Sequence, residues 1–457
     1  MSIDALIADL TPILGPEGVL TGEQLASRQS GVWASQEIKA SVIFRPSSTK
    51  ELSQTLKSCN LFGQQVVVHG GLTGLVSGAL TRSDDVVIST ERLNQIEKIS
   101  VDDRTMRLQA GVRLESAQVA AKKRGLMLPL DLGARGSCTL GGNAATNAGG
   151  HQVIRYGMMR ESILGLEVVL ADGTIIDSMN SMLKNNAGYD LKHLFIGSEG
   201  TLGIISRLIL RLRPESLSQE TALLACTDFS HVIALLNRFD RSLGGTLTAF
   251  EVMWKNFYQL VANSTPPLAD KFPFYILMEA LGNDPEVDRE RFIRVISQAE
   301  EAGELADAVI VKSGAERDRL WQLRDGVDKI VDLGPSKVFD VSLPLSEMDQ
   351  YVIEVKQRLK SALPKSLCFV FGHVGDGNLH LVCVPNQEEL KAFREVEKAV
   401  YNPLANLRGS ISGEHGIGLE KKDWLSISRT NDEIQLMRLL KTSLDPQGIL
   451  NSGRIFD

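Results

Sequence analysis

The chain has 457 residues, of which 43% are hydrophobic and 23% charged, so it is neither mainly disordered nor fibrous, and at ~150 residues per domain it suggests two or three domains. A net charge of −7 without a basic patch argues against a nucleic-acid partner, and the apolar runs are well short of the ~18 residues of a membrane span. The N-terminus carries Asp4 and Asp9 with no basic start, unlike a secretory signal, and five scattered cysteines without a CxxC read as buried free thiols in a reducing, cytoplasmic setting.

Residues 1–37 read as a polar helical segment, and 38–215 as a β-rich domain. Ser41–Arg45 is a strand ending at Pro46, and Ser48-Thr49 can cap a helix over Lys50–Asn60. Gln65–Val68, Val86–Ile88, Thr105–Ala110, Glu167–Leu170 and the β-branched stretch within 195–212 are further strands, separated by two glycine-rich loops. A third segment, 216–425, alternates apolar strand candidates with amphipathic helices over Asp288–Ala302 and Ala315–Val331, the pattern of an α+β domain. It also holds a glycine-rich hairpin at 369–384 and a helix near 388–407; a helical tail, 426–457, closes the chain.

The first loop, His69-Gly70-Gly71-Leu72-Thr73-Gly74-Leu75-Val76-Ser77-Gly78, follows a buried strand. Four glycines let the backbone turn and approach a ligand, and successive N–H groups can form an anion nest; a tight turn without a ligand is the alternative. The loop is a poor match to the GxGxxG fingerprint, because a new strand begins by Val86 where a helix should run. The second loop runs from Gly136 and Ser137 through Gly141, Gly142, Thr146 and Asn147 to Gly149 and Gly150, with only Leu140 bulky. Two small-residue loops without a P-loop lysine suit a dinucleotide held by backbone groups.

In FVFGHVGDGNLHLVCV, Asp376-Gly377 is a strong hairpin signal. Folding about it makes His373 and His380 direct cross-strand partners, close enough to share one metal ion or simply to fill a polar pocket. Gly413-Glu414-His415-Gly416 offers a third ligand, or an exposed turn.

These motifs, with LGLEVVLADGT, FIGSEGTLGII and LDPQGILNSGRIF, resemble the vanillyl-alcohol-oxidase-like flavoproteins, and within them the FAD-linked D-2-hydroxyacid dehydrogenases: D-2-hydroxyglutarate and D-lactate dehydrogenases and the glycolate oxidase flavoprotein subunit. The resemblance runs from about residue 38 to the end. It implies a flavin-binding domain and an α+β substrate (cap) domain with a C-terminal segment returning to the first. It also implies FAD around Pro46, with the pyrophosphate on the 70–78 loop and the isoalloxazine near 136–150. Glu199, Gly203 and Ile204 would lie near the ribityl and adenine part, and Asn451 and Arg454 would return to the flavin domain. His69 precedes the glycine pair and Leu72 follows it, unlike relatives with covalent flavin, so FAD is expected to be non-covalent. By the same match His373, His380 and Glu414 bind a divalent cation, with Zn²⁺ preferred and Mn²⁺ an alternative, Asn378 sits near flavin and metal, and His415 is the base.

The implied reaction oxidises a 2-hydroxy acid to a 2-oxo acid, with hydride passing to the flavin. Among Arg317, Arg319 and Arg324, the LWQLRDG segment resembles the family's arginine motif and points to Arg324 for the substrate carboxylate. Relatives acting on 2-hydroxyglutarate are expected to carry polar contacts for the distal carboxylate where this chain has Asp328, Val338 and Val382, and Lys337 is one place off. A short or apolar 2-hydroxy acid such as D-lactate is therefore the expected substrate, with D-2-hydroxyglutarate as the alternative. Two other classes stay open: a metallohydrolase on His373, His380 and Glu414, which would purify colourless, and a flavin-fold protein without redox turnover. No motif selects the electron acceptor, whether quinone or an electron-transfer flavoprotein, so a location peripheral to a membrane and a homodimer both remain compatible.

Overall fold

The computed structural model describes residues 2–31, 37–262, 266–385 and 390–457. The part of the expected helical segment at 32–36, and residues 388 and 389 of the expected helix near 388–407, lie outside them. The chain forms two compact units: residues 1–150, 157–215 and 414–457 make the first, and 151–156 with 216–413 the second.

The first unit opens on a helix over Ile3–Leu14. The segment read as helical also contains a strand, β1 (Val19–Leu20), because it finds an antiparallel partner in β2 (Ile43–Phe44). β3 (Val66–His69) and β4 (Val86–Ser89) complete a four-stranded sheet in the order β1-β2-β4-β3, with β2, β4 and β3 parallel. The helix Thr49–Phe62 between β2 and β3 starts where its cap signal lies: the Ser48 hydroxyl accepts from the Glu51 N–H. Its Leu52, Leu56 and Cys59 pack with Leu6, Leu10 and Leu14 of the first helix on Val66, Val86 and Ile88. Each buried leucine of this i, i+4 seam contributes about 1.5–3 kcal/mol.

A second, antiparallel sheet is built from β5 (Ile96–Ser100), β6 (Thr105–Gln109), β7 (Ile163–Val169), β8 (Ile175–Ser178) and β9 (Ile204–Arg211), in the order β5-β6-β9-β7-β8. Only 204–211 of the stretch 195–212 is strand. The 136–150 segment is likewise not all loop: Leu140–Thr146 is a helix, capped by Thr139, because small side chains let it lie directly on β9 and on the residue after β6, where a Cβ on Gly141 would stand 2.5 Å from the Ala110 Cβ.

The second unit is one antiparallel seven-stranded sheet of β10 (Ser218–Cys226), β11 (Leu247–Trp254), β12 (Phe274–Gly282), β13 (Asp307–Ile310), β14 (Lys337–Ser342), β15 (Leu367–Gly372) and β16 (Asn378–Val384). Its order is β13-β10-β12-β11-β15-β16-β14, with helices over Phe229–Ser242, Pro285–Glu301 and Met348–Ala362. The helix expected over Ala315–Val331 is two, Gly314–Arg324 and Asp328–Val331, interrupted around Gly326. All five cysteines are buried free thiols.

Candidate active site

In the first unit the two glycine segments pack against each other. A Cβ on Gly71 would lie 2.3 Å from the Ser137 carbonyl oxygen, and one on Gly70 2.9 Å from Thr139 Oγ1. These glycines permit the contact between the segments. Gly74 and Gly78 differ, since a Cβ on either would meet nothing within 4 Å, and Gly74 and Leu75 form the exposed crest of the loop around Thr73. The crest is the part of the loop with room beside it for a bound group. Leu72 and Ser77 both hold positive φ, as do Asn147, Glu199 and Asn451. Residues other than glycine keep that conformation only where their surroundings impose it, and such strain gathers at ligand clamps.

His69 is buried and its Nε2 lies 2.8 Å from the Ala79 carbonyl oxygen, tying together the two ends of the loop. Burial pushes its pKa down to about 4, so the ring is neutral at pH 7. Pro46 is buried, and Gly203 and Ile204 are interior packing positions; a Cβ on Gly203 would come within 2.6 Å of Val168 Cγ1. Asn451 fastens the tail onto β3: its Oδ1 accepts from the Val68 N–H at 2.9 Å, and its Nδ2 donates to the Glu199 carbonyl at 2.6 Å. Arg454 donates to the carbonyls of Gly78 and Leu80. The Glu199 carboxylate accepts from the N–H groups of Ile417 and Gly418 at 2.7 and 2.8 Å, while the Leu419 N–H donates to the Val76 carbonyl. The turn bearing Glu414 and His415 thus rests on the first glycine loop, with His415 Nε2 3.7 Å from Glu414 Oε1.

The second unit gathers the remaining candidates. The hairpin is wider than Asp-Gly predicts: His380 pairs with Phe371, and Val374–Asp376 is a 3₁₀ turn. His373 is therefore not the cross-strand partner of His380. The turn widens because the His373 carbonyl accepts from both the Asp376 and Asn378 N–H groups. Phe371 and His373 are two residues apart, so the His373 ring still reaches His380, at 5.1 Å between centroids.

Arg317 is half-buried and paired with Asp318, Arg319 is exposed, and Arg324 is buried at the end of its helix. Its Nε donates to Glu251 Oε2 at 2.7 Å, and Glu251 Oε1 lies 2.5 Å from His373 Nδ1. Burial alone would push the Glu251 carboxyl up, but the charges of His373 and Arg324 outweigh it and hold it well below the usual carboxylate range. A carboxylate on Nδ1 fixes the ring's orientation, and Arg324 Nη2 lies 3.5 Å from its Nε2. His151 lies over both Trp321 and His373, with centroids 4.7 and 5.6 Å apart, and burial pushes its pKa down.

On β14, Asp340 is the register partner of His380, and the two offer ligand atoms within 4.8 Å of each other. Asn378 Nδ2 donates to Asp340 Oδ1 at 2.7 Å, and its buried Oδ1 has no hydrogen-bond partner. Gly413, the last residue of the unit, donates its N–H to the Asp340 carbonyl at 3.3 Å, and Glu414 follows it in the chain. Sequence reasoning missed Asp340, Glu251 and His151 as site residues. A usable signal exists for two of them: each is a lone carboxylate inside an apolar strand, VFDVSLP and TAFEVMW.

Residues 40–178 match the family model described as FAD binding domain, and 216–455 match that of FAD linked oxidases, C-terminal domain. The mitochondrial D-2-hydroxyglutarate dehydrogenase of Rattus norvegicus is 39% identical over 415 residues, 90% of this chain and 77% of that one. The D-2-hydroxyglutarate dehydrogenase of Xanthomonas citri pv. viticola is 38% identical over 419 residues, 90% of this chain and 88% of that one. The chain belongs to the FAD-linked D-2-hydroxyacid dehydrogenase family. It is a flavin-dependent oxidoreductase acting on the CH–OH group of donors. In fold it is similar to p-cresol methylhydroxylase, with a TM-score of 0.79 at 16% identity over 99% of this chain and 97% of that one, which places it among vanillyl-alcohol-oxidase-like structures. Among the described residues no helix is long and apolar enough to cross a membrane.

Proposed function

We propose that the protein oxidises a D-2-hydroxy acid to its 2-oxo acid, with the buried Arg324–Glu251–His373 triad as the observation that carries the reading. Such a triad suits an anionic substrate: Glu251 occupies Nε of Arg324 and Nη2 lies 3.5 Å from His373 Nε2, so a substrate carboxylate would meet the guanidinium on its Nη side beside that ring. The FAD-binding role falls to the 70–78 crest and the 136–150 segment, where the open space beside Gly74 and Gly78 fits a bulky group held by backbone amides. FAD, when bound, takes up the electron pair of the substrate C–H bond. Without a histidine after the glycine pair, the chain holds it non-covalently.

His373, His380 and Glu414 are the residues that would hold a divalent cation, Zn²⁺ or Mn²⁺, and Asp340, which offers a carboxylate oxygen within 4.8 Å of a His380 ring nitrogen, would join His380 there. The histidine–carboxylate donor set and the unpartnered Oδ1 of Asn378 both fit that role. The cation, when bound, acidifies the α-hydroxyl as a Lewis acid. His415 takes the hydroxyl proton on a ring nitrogen, and Glu199 seats it by fixing the turn it stands on.

For the substrate we favour a short or apolar side chain, such as that of D-lactate. Lys337 cannot serve a distal carboxylate, because it pairs with Cys383 on the sheet face away from His380 and is ion-paired with Glu397. Val382 is packed in the apolar core, Val338 is exposed, and Asp328 is an exposed acid. The names of the relatives favour the second reading, D-2-hydroxyglutarate. Anaerobic addition of D- and L-2-hydroxy acids while following the flavin spectrum tests the reaction. Bleaching by D-acids alone is expected, and no bleaching by any 2-hydroxy acid would refute it. A clear kcat/KM preference for D-2-hydroxyglutarate over D-lactate would decide for the second substrate.

A further inference from the structure

The second unit contains a cavity of about 560 Å³ that the site above does not use. Its floor is Trp254, Pro273, Leu359 and Cys368, and its rim carries Lys255, Lys356 and Lys360. Trp254 is held by edge contacts with Phe274, at 5.5 Å between centroids, and by Phe229 at 5.8 Å, so the floor is fixed by packing. Trp254 ends β11 and is three residues beyond Glu251, so it faces the opposite side of the sheet from the catalytic cluster.

The charges here are one-sided. No Asp or Glu lines the cavity, and among the described residues none of the three lysines has an ion pair or side-chain hydrogen bond. Lys356 and Lys360 stand four apart on the helix Met348–Ala362, on one side of it, where like charges repel. On the same helix Arg358 is paired with Glu354 at 2.7 Å. In a chain with net charge −7, three unpaired cations around one apolar floor is a local excess. Asn256 adds a directed group: its Nδ2 donates to the Cys368 carbonyl at 2.7 Å, and its buried Oδ1 has no partner.

We propose that this cavity is a second binding site, for an anionic amphiphile: a carboxylate, sulfonate or phosphate head on an apolar ring or chain. The apolar body lies on Trp254, Pro273 and Leu359, and the head is held by Lys356 and Lys360 with Lys255 opposite. Its volume is that of an ordinary small-molecule pocket, roughly 300–1,000 Å³.

The test uses the flavin-loaded full chain and 8-anilinonaphthalene-1-sulfonate, an aromatic sulfonate, measured by equilibrium dialysis at low salt. Wild type should show a saturable site that weakens as salt rises. Lys356→Glu/Lys360→Glu should weaken it about tenfold or more. Lys356→Gln/Lys360→Gln, which keeps most of the apolar stem, should give a smaller loss in the same direction. Lys365→Glu, just outside the lining, should leave affinity unchanged. Absence of binding, equal affinity in both double variants, or an equal loss in the Lys365 variant would overturn the proposal.

Discussion

Glu251 serves two side chains at once, one oxygen on Arg324 and the other on His373, at 1% exposure. Glu251→Gln should therefore cost more than a hydrogen bond, because it leaves the Arg324 guanidinium buried without its counter-charge. A loss of about 3 kcal/mol in denaturant unfolding is expected, with activity or metal affinity down about 10–100-fold. Unchanged stability would remove the ion-pair account. His69 gives a pH signature. Its folded pKa of about 4 lies below the unfolded value near 6.5, so it contributes stability that is complete above pH 6.5 and is lost as pH falls towards 4. Over that interval up to roughly 3 kcal/mol should go, and the slope should flatten in His69→Gln, checked by thermal melts at stepped pH. The two roles differ in legibility. Arg324 stands out through its motif, but Glu251 is visible only as an acid in an apolar strand until β11 is placed beside β15.

The glycine loop separates two uses of one residue type. Gly71 faces backbone at 2.3 Å, whereas Gly74 faces open space and has no positive φ. Gly71→Ala should lower apoprotein stability. Gly74→Val should leave apoprotein melting nearly unchanged and lower FAD content, measured as flavin per chain after gel filtration. Equal FAD loading of Gly74→Val and wild type would remove the crest from the cofactor site. The hairpin carries a second lesson at this scale. Asp376-Gly377 marks the turn, but the register depends on which N–H groups the His373 carbonyl captures, and that is a matter of three-dimensional closure. The register of β16 sets His380 against Phe371 on one side and Asp340 on the other, which adds Asp340 to the candidates His373, His380 and Glu414.

Across the whole molecule, the residues proposed for the flavin and for the metal fall on different stretches of chain. Chelation or His380→Ala should abolish turnover while the bound-flavin spectrum persists, and acid precipitation should release the flavin. Full activity in metal-free protein would remove the metal from the mechanism, and flavin retained in the precipitate would overturn non-covalent binding. The family, the cofactor and the reaction type were legible from the sequence through the resemblance of its glycine loops and GHVGDGNLH segment to known flavoproteins, because such motifs are local patterns; the residues alone pointed only to a dinucleotide. The β-rich and α+β halves were legible too, since periodicity is also local. What the tertiary structure decided is which groups meet. Glu251 with Arg324 and His373, Asp340 with His380, and the Glu199 carboxylate with the 417–418 amides join residues from 40 to 219 positions apart. No window along the chain contains such a pair; packing of strands and burial of charge bring its members together, and only there does a lone acid acquire a partner.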